Sequence, residues 1–200
     1  MIFRFAFLGF AIVCLWQRAV EIQRNDRNLQ GRRPTWTVIA ITLIFLGFTL
    51  GSLVEVFVVE RPQNFAISIS GAILFGSGFI LRRLVLRALG NLWAIDIDLK
   101  PDHHLVTTGP YRFCRHPNYL AMVLEMVGFC LVGNAFFTLL ACLPLYVVAI
   151  AARIRLEEAA LLEQLGDAYA AYMRTTFAVL PILRRIRNQS SRKSPADPIG

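Results

Sequence analysis

Charge is scarce in this chain. Of its 200 residues, 17% are charged and 56% hydrophobic, a balance too apolar for an ordinary soluble domain. Histidine is limited to His103, His104 and His116, and the four cysteines (Cys14, Cys114, Cys130, Cys142) show no C-x-x-C spacing. Three of those cysteines lie in apolar runs, where the residue behaves as a small hydrophobe. Neither a disulfide framework nor a metal centre is supported. A G-x-G-x-x-G dinucleotide fingerprint is also missing, as are internal repeats of the transporter kind. The net charge of +8 comes without a basic-aromatic module, so nucleic acid is not an expected partner.

What is present is apolar sequence in long blocks, the mark of a polytopic membrane protein. The first block, Ile2 to Trp16, starts basic at Arg4, as a signal peptide would. No small-residue cleavage site follows it, so an uncleaved transmembrane helix running on into Gln17–Arg27 is expected. Trp36 to Val59 contains a single ionisable residue, Glu55, and is long enough to cross the ~30 Å hydrocarbon layer with some tilt. Phe65 to Leu81 carries Gly71, Gly76 and Gly78 with Ser68, Ser70 and Ser77, a small-residue face suited to close helix packing. Asn91 to Arg115 is a long connection, with a short extended piece expected over Ala94–Leu99. Two further apolar helices, about Asn118–Val132 and Ala135–Ala152, are separated only by Gly133-Asn134, which forces an antiparallel hairpin. Pro144 is expected to kink the second arm. Arg153 to Met173 reads as an amphipathic helix or helix pair broken near Gly166-Asp167. The expected fold is therefore all-α, with about five transmembrane helices, the last two a hairpin, and a C-terminal amphipathic helix.

The cations take sides. Lys and Arg number five in 17–35, six in 82–117 and eight in 153–200, leaving only Arg4 and Arg61 elsewhere. With five spans those three segments share one face, and the positive-inside rule puts that face in the cytoplasm with the C-terminus. One of them, 82–117, runs into the most distinctive stretch, Gly109-Pro-Tyr-Arg-Phe-Cys-Arg-His-Pro-Asn-Tyr119. Pro110 and Pro117 each fix φ and remove a backbone donor, so a shaped turn should lead to a helix starting at Pro117 with His116 just outside. That helix start favours an anion, and Arg112 and Arg115 add cations nearby. The hairpin returns Arg153-Ile-Arg-Leu-Glu-Glu158 to the same face, with Arg153 and Glu157 at i,i+4. One wall is cationic and the other anionic, an arrangement suited to a zwitterionic ligand.

Each residue has a plainer reading as well. His116 fits a helix cap, Arg112 and Arg115 fit anchors to lipid phosphate, and Glu157 and Glu158 fit a solvated surface pair. Glu125, inside an apolar helix, fits either a bond to a neighbouring helix or a functional group. Tyr169 and Tyr172 suit interfacial anchors as well as site walls.

Leu105-Val-Thr-Thr-Gly-Pro-Tyr-Arg-Phe-Cys-Arg-His-Pro-Asn-Tyr119, followed by the hairpin and Arg153-Ile-Arg-Leu-Glu-Glu158, resembles the isoprenylcysteine carboxyl methyltransferase family, which is related to the membrane phospholipid methyltransferases. The resemblance covers about Leu89 to Leu183. It divides the chain into N-terminal helices (1–88), a methyltransferase core (89–183) and a basic, Ser/Pro-rich tail (184–200). It implies an integral-membrane enzyme using S-adenosyl-L-methionine. Leu105, Val106, Gly109, Pro110, Tyr111, His116, Pro117 and Tyr119 would contact that cofactor, with Glu157 or Glu158 on its ribose or amine. The acceptor would be a lipophilic or lipidated molecule entering sideways from the bilayer. For a carboxylate acceptor, Arg153 and then Arg115 are the candidates to hold it; for a phenol or enol, Glu125 is available as base. An isoprenylcysteine carboxylate, a long-chain polyketide hydroxyl and a phospholipid amine all remain open as acceptors. The short N-terminal half resembles bacterial members, which implies an inner-membrane location with the site cytoplasmic. A non-enzymatic scaffold, a transporter or a membrane reductase are the readings from other classes.

Overall fold

The computed structural model describes residues 1–26, 36–90 and 105–179. The expected extended piece at Ala94–Leu99, His103, His104 and the tail from 184 lie outside them. Among the described residues six α-helices follow in order: α1 (Ile2–Asp26), α2 (Trp36–Val58), α3 (Phe65–Leu89), α4 (Pro117–Gly133), α5 (Phe136–Leu165) and α6 (Asp167–Thr175). A 3-10 turn at Gly109–Arg112 precedes α4. Among the described residues there is no strand, only an isolated parallel bridge between Cys114 and Phe177. The architecture is all-α. Four helices (α1, α2, α3 and α5) are long and apolar enough to cross a membrane, whereas α4 has 17 residues, or about 25 Å of helix at 1.5 Å per residue. Large apolar side chains such as Ile73, Ile80, Leu140 and Val148 are exposed around the bundle, while Thr49, Ser52, Glu55, Arg82 and Arg153 are buried inside it. A bundle with this inside-out polarity belongs in lipid.

The small-residue face of α3 packs against α4, with a narrower membership than expected. A Cβ added at Gly71 would come within 2.5 Å of Val132 N, and one at Gly78 within 2.8 Å of Ala121 O. Gly128 answers from α4, where a Cβ would lie 2.5 Å from Phe75 N. Such close backbone approach needs residues without side chains. Gly76 touches nothing within 4 Å, and Ser70 and Ser77 bond back to Ala66 O and Ile73 O of their own helix. The contact face is therefore Ser68, Gly71 and Gly78, one stripe at helical spacing.

The hairpin is held at the end remote from the Gly109–Tyr119 stretch. Asn134 adopts the left-handed conformation (φ 55°) that ends α4, a geometry asparagine tolerates better than most residues. Its side chain donates to Ser68 Oγ at 2.7 Å and accepts from Asn64 N at 3.2 Å, tying the turn to the start of α3. Glu55 accepts from Phe137 N, Thr138 N and Thr138 Oγ1 at 2.8–3.1 Å and pairs with Arg61 at 3.0 Å. A carboxylate from α2 thus caps the otherwise orphaned amides at the start of α5. The one ionisable residue of the second apolar run is a helix lock.

One boundary differs from expectation. The second hairpin arm does not stop at Ala152: α5 continues unbroken to Leu165 and passes through Pro144. Arg153, Glu157 and Glu158 are therefore carried rigidly on the same helix that crosses the bundle. The break at Gly166 is where the sequence places it; Gly166 has φ 53°, and α6 follows directly.

Candidate active site

The chain from Leu105 to Tyr119 is shaped by a few local constraints. Gly109 sits at φ 60°, a conformation that glycine adopts at no steric cost. Pro110 then starts the 3-10 turn, closed by Tyr111 N to Thr108 O at 3.2 Å and Phe113 N to Pro110 O at 3.1 Å. Pro117 is the first residue of α4 and His116 its N-cap, as the proline spacing predicts. The strand-like piece between them is clamped from the other end of the chain: Arg115 N donates to Phe177 O at 2.7 Å and His116 N to Ala178 O at 2.9 Å. The residues after α6 thereby fold back onto the start of α4.

Four side chains converge between α4 and α5. Arg115 donates from Nε and Nη2 to Glu158 Oε1 at 2.9 and 2.8 Å, and its Nη1 reaches Met173 O at 3.1 Å and also Thr176 O. His116 Nε2 lies 3.1 Å from the same Glu158 oxygen, and its Nδ1 is 3.8 Å from Glu157 Oε2. Next to this group, the Tyr119 hydroxyl donates to Glu157 Oε2 at 2.7 Å and accepts from Arg153 Nε at 3.2 Å. Arg153 continues to Thr37 Oγ1 at 3.0 Å, at the beginning of α2. Two guanidinium groups and two carboxylates make a charge-balanced cluster around an imidazole and a phenol. His116 and Arg153 are 3% and 4% exposed, whereas the Glu157 side chain keeps 32% of its surface. One side of the cluster opens outward and the other faces the bundle interior.

A tyrosine layer adjoins the cluster. Leu105 packs with Leu161, Tyr169 and Tyr172, and the Tyr172 hydroxyl donates to Tyr111 O at 2.5 Å. Burial pushes the Tyr172 phenol up to about 12, with the neighbouring Cys114 thiol adding to it. Burial and then the Glu157 carboxylate raise Tyr111, while burial and then Glu158 raise Tyr169. All three are therefore neutral donors at physiological pH. Two buried polar atoms here have no hydrogen-bond partner among the described residues: Asn118 Oδ1 and the Tyr169 hydroxyl oxygen. Such orphans are rare unless a ligand or water completes them.

The sequence-derived candidates thus separate into groups. Arg115, His116, Tyr119, Arg153, Glu157 and Glu158 come together in one cluster. Leu105 and Tyr111 stand in the adjoining layer, with half-buried Val106 and the Gly109–Pro110 turn supporting it. Arg112 is exposed and outside the cluster. Glu125 lies two turns further along α4, paired with Arg82 at 3.3 Å, away from the other candidates. Sequence reasoning missed Thr37, which brings α2 to Arg153. A lone threonine at the head of an apolar run gives no signal of its own.

The fold and the cluster define a helical integral-membrane protein with a charge-balanced polar site on the hairpin's open end. The profile of the isoprenylcysteine carboxyl methyltransferase (ICMT) family matches residues 70–163. A Bacillus subtilis (strain 168) protein, YpbQ, is 33% identical over 160 residues, covering 76% of this chain and 94% of the relative. The protein-S-isoprenylcysteine O-methyltransferase of Schizosaccharomyces pombe is 37% identical over 83 residues, 41% of this chain and 35% of that enzyme. The cobalt-zinc-cadmium resistance protein CzcN of Cupriavidus metallidurans is 31% identical over 107 residues, 53% of this chain and 49% of the relative. The chain belongs to the isoprenylcysteine carboxyl methyltransferase family.

Proposed function

We propose that the protein is an S-adenosyl-L-methionine-dependent methyltransferase acting on a lipophilic acceptor, with its site on the cytoplasmic face of the membrane. The observation that carries this is the chain Glu157–Tyr119–Arg153. A part-exposed carboxylate is joined through one phenol to a buried guanidinium, linking an outward-facing half-site to one inside the bundle. That division suits a soluble methyl donor and a membrane-borne acceptor. The donor, when bound, supplies an electrophilic methyl on a sulfonium. The residues fit such a group, because the cluster offers both signs of charge and the orphaned Asn118 Oδ1 and Tyr169 hydroxyl leave an acceptor and a donor unused.

Glu157 and Glu158 are the carboxylates to bond its ribose or ammonium. His116 and the positive end of the α4 dipole suit its carboxylate. Arg115 is committed to Glu158 and to the carbonyls closing α6, so it acts as a strut. Arg153 is left as the group to hold an anionic acceptor, with Thr37 and Tyr119 fixing its orientation. A carboxylate acceptor is already anionic and needs no base, only positioning and exclusion of water. A hydroxyl acceptor would need one, and Glu157, already accepting from Tyr119, is the better placed carboxylate than Glu125.

The test is transfer of labelled methyl from S-adenosyl-L-methionine, in vesicles containing the protein, to N-acetyl-S-farnesylcysteine or to a long-chain alkylphenol. A carboxylate acceptor gives an ester that alkali cleaves to labelled methanol, and a phenol gives an alkali-stable ether. Label in either product, falling at least 100-fold in Arg153→Ala, supports the reading. Label in neither, from folded protein that binds the donor, counts against the acceptor class proposed.

A further inference from the structure

Tyr169 is buried with its hydroxyl unspent. It stands on α6 and is 2% exposed, with its ring centroid 6.1 Å from that of Tyr172 and its side chain packed among Leu105, Leu161 and Leu165. The hydroxyl oxygen has no hydrogen-bond partner among the described residues. Tyr172, three residues on and also buried, does have one, since its hydroxyl donates to Tyr111 O. An unpaired hydroxyl in a buried position costs stability. Phenylalanine would fill the same space without that cost, so packing alone does not account for a phenol here.

The groups around the phenol are those of the charged cluster. Glu158, Arg115 and Glu157 all bear on it electrostatically, yet it is bonded to none of them. Each carboxylate has one oxygen engaged: Glu158 Oε1 accepts from Arg115 and lies 3.1 Å from His116 Nε2, and Glu157 Oε2 accepts from Tyr119. Glu158 Oε2 and Glu157 Oε1 accept no hydrogen bond among the described residues. Ionised carboxylates only accept, whereas a phenol donates and accepts. A ligand ammonium placed between them would leave the phenol O–H unspent, and a ligand carboxylate would be repelled by both glutamates. A ligand hydroxyl satisfies both sides, donating to a carboxylate and accepting from the phenol. We infer that Tyr169 is a recognition residue for a ribose hydroxyl of the methyl donor, which it holds against Glu157 or Glu158. The inference rests on the methyl-donor site proposed for this cluster.

The test is calorimetric titration of the full-length protein in detergent, wild type and Tyr169→Phe, with S-adenosylhomocysteine and with its 2′-deoxy and 3′-deoxy analogues. Thermal unfolding of the two free proteins accompanies it. Tyr169→Phe should bind S-adenosylhomocysteine about tenfold more weakly, the usual worth of one hydrogen bond. The free variant should melt no lower than wild type, because only an unpaired hydroxyl has been removed. One of the two deoxy analogues should bind wild type and variant alike to within about twofold, since the bond it would report is already gone. Weaker binding together with a lower melting temperature would assign Tyr169 to packing and overturn the inference. Unchanged affinity for S-adenosylhomocysteine would also overturn it, with a buried water as the partner of the phenol. A tenfold loss that persists with both analogues would move the contact off the ribose and overturn the sugar assignment. Failure of folded wild-type protein to bind S-adenosylhomocysteine is a separate outcome, which removes the methyl-donor reading itself and this inference with it.

Discussion

At the scale of single residues, the polar groups of this protein are divided between those that hold the fold and those that remain for chemistry. Glu55 belongs to the first kind, since its oxygens are taken by two backbone amides, one hydroxyl and Arg61. Glu55→Ala should lower stability by about 3 kcal/mol, the usual cost of breaking a buried charged network. Thermal unfolding in detergent checks this, and a change below about 1 kcal/mol would mean that α5 is capped some other way. Tyr172 is a donor to Tyr111 O whose phenol is shifted from an ordinary 10.0 to about 12 by burial first and the Cys114 thiol second. A raised folded value means that its contribution is whole below pH 10 and disappears as pH climbs toward 12. The melting temperature should therefore fall across pH 10–12, and less steeply in Tyr172→Phe. An identical slope in the variant would assign that loss to other groups. His116 shows how far residue identity alone reaches. A histidine before Pro-Asn-Tyr fits a cap or a ligand equally well, and only its 3.1 Å contact with Glu158, a residue far along the chain, shows which neighbours it serves.

At the scale of elements, the decisive features are the hairpin and the α3–α4 contact. Short linkage at Gly133-Asn134 was legible because no other path joins two apolar runs across so few residues, and the proline spacing marked the start of α4 for equally local reasons. The continuity of α5 was less legible. Its composition changes from apolar to charged at Arg153, which resembles a boundary, yet no capping residue or glycine interrupts the backbone hydrogen bonds until Gly166. The small-residue stripe was readable only as a composition; which glycines touch α4 depends on rotation about the α3 axis, and that is set by packing. Gly128→Val tests the contact. The added side chain would start 2.5 Å from Phe75 N, so α3 and α4 must separate, at a cost of about 3 kcal/mol. Gly76→Val, facing open space, should cost under 1 kcal/mol. Similar melting shifts in the two variants would contradict the contact face described. Arg115 connects α4, α5 and the end of α6 at once. Arg115→Lys keeps the charge but loses the fork geometry, and hydrogen exchange at residues 173–178 should rise about tenfold, with unchanged exchange speaking against a strut.

At the scale of the whole molecule, two ends of one bundle have different roles. The Glu55, Asn64 and Asn134 end is bonded internally and ties α2, α3 and the hairpin together. The opposite end gathers Arg115, His116, Tyr119, Arg153, Glu157 and Glu158, exposes a carboxylate on one side and buries a guanidinium on the other. Much of that site could be read from sequence, since the hairpin geometry requires both motifs to meet on one face. What could not be read was the third contributor, Thr37, and which of its two readings Glu125 follows (the bond to a neighbouring helix, made here with Arg82), because both depend on which helix stands beside which. The cytoplasmic placement proposed for the site, which the distribution of Lys and Arg favours under the positive-inside rule, would put it where a soluble methyl donor is available. Donor binding is therefore the quantity to measure first. Calorimetric titration of S-adenosylhomocysteine into the detergent-purified protein should give a dissociation constant in the micromolar range, with binding weakened at least tenfold in His116→Ala and Glu158→Ala and little changed in Arg112→Ala. No heat of binding from folded wild-type protein, or equal affinity in all four proteins, would contradict a methyl-donor site at this cluster.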